Sequence, residues 1–260
     1  MNLELNGTVV LVTGASQGIG AGTALTFAAE GARRIHLAAR NAEKLARVKA
    51  DILALAPAAE VVIHAIDLSE AGAAERLAAA AGEVDILVNN AGAIPGGSLA
   101  DVDEATWRLA WDLKVFGYIN LCRAYYARMR AAGGGVIVNN IGNGGETLDP
   151  NYIAGAAGNA ALMAFTRSLG GASLADRIRV VGVNPGPVAT DRITTLLRKR
   201  ATDAYGDDAR YLEFAAGFPL SRAASVAEIA DMIVFLGSPR SAYTSGTIVT
   251  IDGGISAHRT

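Results

Sequence analysis

The sequence predicts one doubly wound α/β domain, and three observations predict it. Seven short runs rich in β-branched residues, at 8–13, 35–39, 61–66, 86–89, 136–141, 180–184 and 247–251, recur with helical stretches between them. Such spacing favours parallel pairing, because a parallel connection must cross the sheet and a helix usually makes the crossing. Val9-Val10-Leu11-Val12 and Ile86-Leu87-Val88 are apolar throughout rather than alternating, as strands covered on both faces must be. A glycine-rich turn follows the first run and opens a helix.

Helix boundaries are legible in the same way. Residues 23–30 end at Gly31, Asn41 opens a helix through 49, and Asp103 caps a long segment, 104–130, that ends at Gly133. Residues 1–11, with Glu4 and a turn at Gly7, read as the first strand, since a signal peptide would carry a basic start and a longer apolar stretch. No apolar run reaches the roughly 18 to 20 residues of a membrane span, so the cytoplasm is expected and a membrane partner is not. No linker, composition break or internal repeat divides residues 1–260, which read as a single domain.

Composition narrows the function classes. Apolar residues make up 51% and charged residues 18% of the chain, with 30 glycines, which suits a large core joined by tight turns. The 23 basic and 25 acidic residues are scattered, without the Lys/Arg stripe that nucleic acid requires. Cys122 is alone and cannot form an intrachain disulfide. His36, His64 and His258 are too far apart in sequence for a metal motif, and each reads as a surface or packing residue. Segment 191–220 differs from its surroundings, with Arg192, Arg198, Lys199, Arg200 and Arg210 beside Asp203, Asp207, Asp208 and Glu213. It reads as a lid bordering the ligand crevice or as a solvated helical insertion, and its arginines would admit an anionic substrate.

The turn reads Thr13-Gly14-Ala15-Ser16-Gln17-Gly18-Ile19-Gly20. Glycines there let backbone N–H groups approach a pyrophosphate, and the helix start adds a favourable dipole. Four further segments follow in order: Asp67-Leu68, Asn89-Asn90-Ala91-Gly92, Asn184-Pro185-Gly186-Pro187-Val188 with Thr190, and Asp252-Gly253-Gly254. With these segments the chain resembles the short-chain dehydrogenase/reductase family over about 5–254.

The resemblance implies a Rossmann-type, seven-stranded parallel sheet with helices on both faces. It implies that Gly14, Ser16, Gly18, Ile19 and Gly20 cradle the phosphates, that Asp67 and Leu68 face the adenine, and that Asn90, Ala91 and Gly92 approach the ribose. Pro185, Gly186, Val188 and Thr190 would hold the nicotinamide end. The second strand ends at Arg40, where an acidic residue would bind the 2′-hydroxyl of NAD and an arginine can pair a 2′-phosphate, so NADP(H) is expected, with NAD the second choice. Gln17 stands where many NADP-preferring relatives carry a second basic residue. A small-molecule substrate and a homotetramer or homodimer, packed through 107–130 and 159–169, are implied as well.

The family reduces a carbonyl with a Tyr proton donor, a Lys four residues later, a Ser beside the oxygen and a helical Asn. Here Ala-Ala-Leu, which follows that Lys in the family, follows Asn159, so Gly155 takes the Tyr place, Gly142 the Ser place and Lys114 the Asn place. A competing register keeps Tyr152 as the acid but sets Ala156 at the Lys and Asn139 at the Ser. General acid–base assistance is worth about 10²- to 10⁴-fold, so ordinary carbonyl reduction would be crippled. Tyr152 and Lys114 could form a substitute acid pair, with Asn159 bonding the cofactor ribose, or could be a packing aromatic and a salt-bridged lysine. Gly142, Gly155 and Gly158 should enlarge the cavity or loosen the helix start, with Asn143 and Glu146 facing that space. The readings that follow are an NADP(H)-dependent oxidoreductase with relocated acid chemistry, a non-catalytic nucleotide-binding sensor or partner subunit, and, third, a lyase or dehalogenase on the same scaffold.

Overall fold

In the computed structural model, which describes residues 1–258, local chemistry sets the elements in chain order. They are β1 Val9–Thr13, α1 Gly18–Ala29, β2 Arg34–Ala39, α2 Ala42–Leu55, β3 Glu60–Ala65, α3 Ala73–Ala81, β4 Ile86–Asn89 and α4 Glu104–Trp111. A π turn, Asp112–Phe116, runs directly into α5 Gly117–Ala132. Then come β5 Gly135–Asn140, α6 Gly144–Thr147, α7 Ile153–Ala172, β6 Ile178–Pro185, α8 Asp191–Tyr205, α9 Tyr211–Ala215, α10 Val226–Gly237 and β7 Ile248–Ile251. The caps act where the residue types place them: Asn41 accepts from the Lys44 N–H at 2.8 Å, Asp103 from the Thr106 N–H at 2.8 Å, and Gly133 closes α5 at φ 94°.

The seven strands form one sheet in the order β3-β2-β1-β4-β5-β6-β7, every pair parallel. Alternation along each strand sends side chains to two apolar layers. Val10, Val12, Val88 and Val181 pack with Phe27, Leu45, Ile52 and Ile233, while Leu11, Leu87, Ile137 and Val180 pack with Leu77, Leu121 and Tyr125. Helices therefore cover both faces. Segment 191–220 is helical, with four of its five basic residues tied to carboxylates: Arg198 to Asp208, Lys199 to Asp203, Arg200 to Asp149 and Arg210 to Glu213.

Two boundaries differ from expectation. Residues 1–8 are not strand; the Thr8 N–H turns back onto the Leu5 carbonyl at 3.1 Å, and Leu5 is fully buried in the core, so its burial fixes the chain before β1 begins. The long helix expected at 104–130 is interrupted by the π turn, which periodicity cannot reveal because one extra residue leaves each half regular.

The β2–β3 register brings two histidines together, with His36 Nδ1 and His64 Nε2 2.9 Å apart. Only one hydrogen fits between those nitrogens, so both rings cannot be charged there. Burial first, then His64 and Arg34, hold His36 down at about 4, and burial lowers His64 too. The unfolded chain protonates His36 near 6.5, where the folded chain does not. Stability is therefore expected to fall as pH drops from about 6.5 toward about 4. Thermal midpoints at about pH 7.5 and about pH 5 check this, with a smaller drop expected for His36→Gln; equal drops in both proteins would show that the pair does not carry the effect.

Candidate active site

The sheet's connections diverge between β1 and β4, which opens a crevice at their C-terminal ends. A compact network pins its floor. Thr13 Oγ1 accepts from the Asn90 and Ala91 N–H groups at 2.9 and 3.0 Å, and Asn90 Nδ2 donates to the Thr13 carbonyl at 2.9 Å. The backbone of Gly14 lies so near that a Cβ there would stand 2.9 Å from Ala91 Cα, and a Cβ on Gly20 would overlap the Gly14 carbonyl. Only glycines permit this approach. Gln17 makes no side-chain cap, and the first turn of α1 holds no acidic residue, so its backbone N–H groups face the crevice ready for an anion. Paired phosphates fit that cradle.

The opposite bank is the segment 185–190, where the Gly186 N–H bonds the Ile251 carbonyl at 3.0 Å and Thr190 approaches the Gly18 position. At the outer end, burial raises the Asp67 carboxyl, but two hydrogen bonds from Ser69, with Arg40, hold it below the usual range. Arg40 Nη1 stands 3.8 Å from Asp67 Oδ2, and Leu68 is buried behind them. Sequence reading missed a neighbour: Lys44 Nζ donates to Gln17 Oε1 at 2.5 Å, which sets a cation beside the position thought to lack one.

At the inner end, β5, the π turn and the start of α7 converge. Lys114 sits in the π turn with its stem against Gly92, and its amine donates to the Ile141 carbonyl at 2.5 Å. Burial, then Arg192, lowers this amine to about 7. One turn later Tyr118 donates to the Asn140 carbonyl at 2.8 Å. Asn159, 2% exposed, points Nδ2 toward Gly142, and its Oδ1 has no partner. An orphaned buried acceptor costs roughly 1–3 kcal/mol, a cost that a ligand hydroxyl would remove.

Tyr152 precedes α7, and its ring lies over Gly155 so closely that a Cβ on Gly155 would fall inside it. Its hydroxyl is 3.4 Å from Arg192 Nη2, which also donates to the Ile94 carbonyl at 2.7 Å. Two expectations fail here. The glycines do not leave an enlarged cavity, because Tyr152 fills the space over Gly155, and Trp111, Val115 and Ile94 crowd Gly158. Nor do Asn143 and Glu146 turn to that space: Asn143 donates to Asp252 at 3.2 Å, and Glu146 accepts from Asn184 at 3.0 Å and from Thr250. Each finds its partner on or just beyond the last two strands, which sequence distance concealed. Among the described residues no group of three or more His, Cys, Asp or Glu side chains could hold a metal ion, and no helix is long and apolar enough to cross a membrane.

A glycine cradle at an uncapped helix start, set on the switch point of a parallel sheet, defines a dinucleotide-binding α/β protein. The short chain dehydrogenase family matches residues 8–201. The chain belongs to that family of oxidoreductases. It is 33% identical to oxidoreductase UcpA of Salmonella typhimurium, over 96% of this chain and 95% of that one. With galactitol 2-dehydrogenase (L-tagatose-forming) of Cereibacter sphaeroides it shares 34% identity over 96% of each. The crystal structure of L-sorbose reductase from Gluconobacter frateurii, complexed with NADPH and L-sorbose, superposes with a TM-score of 0.90 at 31% identity over the full length of both chains.

Gly18→Asp tests the cradle. The carboxylate would stand at the positive end of α1, where it favours the helix by about 0.3–1 kcal/mol but repels phosphate. Gly18 has φ 56°, so a modest loss of stability accompanies the change. The expected result is a thermal midpoint within a few degrees of wild type and a dinucleotide Kd raised at least ~10-fold in calorimetry; unchanged affinity would remove the cradle from the site.

Proposed function

We propose that this chain is an NADP(H)-dependent oxidoreductase acting on a carbonyl or alcohol, with Tyr152 and Lys114 replacing the family's usual acid machinery. The observation that carries it is the Tyr152 ring lying over Gly155, which supports a phenol filling the space that a residue 155 side chain would take. In this reading Gly142, Gly155 and Asn159 stand at the Ser, Tyr and Lys positions, and the competing register, with Tyr152 in line with the family's Tyr, reaches the same donor.

Gly14, Ser16, Gly18, Ile19 and Gly20 would hold the phosphates, Asn90, Ala91 and Gly92 the inner ribose, and Pro185, Gly186, Val188 and Thr190 the nicotinamide. Arg40 with Lys44 and Gln17 favours NADP(H) over NAD, since two cations beside the outer ribose suit a 2′-phosphate. The bound nucleotide would supply or accept two electrons as hydride. Tyr152 holds the proton for the substrate oxygen, Lys114 keeps a second proton buried at the Ile141 carbonyl, and Asn159 offers its free Oδ1 to a ribose hydroxyl. The helices of 191–220 act as a lid, and outward-facing Leu109 and Phe116 on the α4–α5 segment suit a homotetramer or homodimer.

The second reading, a non-catalytic nucleotide sensor or partner subunit, is favoured by the glycines at two of the four catalytic positions. A panel of carbonyls with NADPH separates the two. Turnover is expected, with kcat/KM lowered about 10²-fold or more by Tyr152→Phe. In the reductive direction kcat/KM should decline as pH rises through about 7, as Lys114 loses its proton, and Lys114→Met should lower the rate and abolish that limb. NADPH binding without any turnover would favour the sensor.

A further inference from the structure

Four of the five basic residues in 191–220 are spent on carboxylates of the chain itself, and the fifth is not. Arg192, at the first turn of α8, has no carboxylate partner among the described residues; it turns inward to the Ile94 carbonyl and the Tyr152 hydroxyl. It also lines a pocket of about 450 Å³ together with Ile94, Pro95, Leu109 and Arg40. A guanidinium has five donors in a fixed fork, and one carbonyl with one distant hydroxyl leaves most of the fork open to a planar anion.

We propose that Arg192 is a specificity-determining residue that binds a carboxylate on the substrate, and that the substrate is a 2-oxo or 3-oxo acid, or the corresponding hydroxy acid. This rests on the oxidoreductase reading above. The distance between Arg192 and the Tyr152 hydroxyl, 3.4 Å, sets the class. If the phenol addresses the carbonyl oxygen, an anion on Arg192 must lie within one or two bonds of the carbonyl carbon. The fork matches a carboxylate bidentately, and a site built for such a pair rejects the uncharged analogue because its own donors are left unmade. A carboxylate there would also offset the charge that Arg192 places near Lys114, favouring the protonated amine.

The test uses 2-oxobutyrate and 2-oxobutyramide with the full chain. Binding is read by calorimetry on protein saturated with NADP⁺, and turnover by NADPH oxidation. The acid should bind about 100-fold more tightly than the amide, falling to within about 10-fold in Arg192→Leu and recovering in part in Arg192→Lys, which keeps the charge without the fork. Lys199→Ala, on the solvent side of the same helix, should keep the wild-type ratio. Acid binding that depends on Arg192 but gives no turnover would uphold this assignment and defeat the oxidoreductase reading. Turnover without preference for the acid, or no binding of the acid, would overturn the assignment. An Arg192→Leu variant that loses NADPH affinity while keeping the acid-to-amide ratio would give the guanidinium to a phosphate of the nucleotide instead.

Discussion

The site depends on the contact between the ends of β1 and β4. Thr13 uses one hydroxyl to satisfy two backbone donors of the 90–91 turn, and Asn90 returns a bond to the Thr13 carbonyl. Those bonds draw two loops together until only glycine fits between them. The start of α1 is thereby aimed into the crevice with its N–H groups unspent, and everything that binds there is positioned from that point. Parallel pairing makes this possible, because it delivers the C-terminal ends of neighbouring strands to one edge.

The inner end is organised differently. Three of its polar groups, all on the α4–α5 run, are held by backbone carbonyls of other segments: Lys114 by Ile141, Tyr118 by Asn140, and Trp111 by Ala154 at 3.0 Å. Carbonyl acceptors leave the lysine without a countercharge, which is why burial can depress it so far. Asn139 and Asn89, bonded to each other at 2.9 Å, and Asn140, bonded to Asn90 at 2.7 Å, tie this end to the nucleotide crevice.

What was legible in the sequence follows from the range of the interactions. The strands, the caps at Asn41 and Asp103 and the glycine turn are local, and residues within a few positions determine them. The pairing of Lys44 with Gln17 and of Arg192 with Tyr152 depends on how α2 and α8 are laid against the crevice, and no spacing encodes it. Gly158 misled for the same reason. A glycine announces that space is wanted, but not whether a ligand or Trp111 will take it. His36 and His64 look unrelated along the chain and become neighbours only through the β2–β3 register.

The π turn carries a consequence for how this chain can vary. Ala110 and Val115 are both buried although five positions apart, and Tyr118, Leu121, Cys122 and Tyr125 continue the inward face from there. Excising one residue between them would close the wide turn into ordinary winding, in which positions four apart again share one face, so both halves of the long rod would keep their phase. Ala110 and the α5 aromatics would stay inward, and what would change is the reach of Lys114, which leaves the rod within that turn to meet the Ile141 carbonyl. The packing of the rod thus tolerates a one-codon deletion at this turn, while the placement of the buried amine does not.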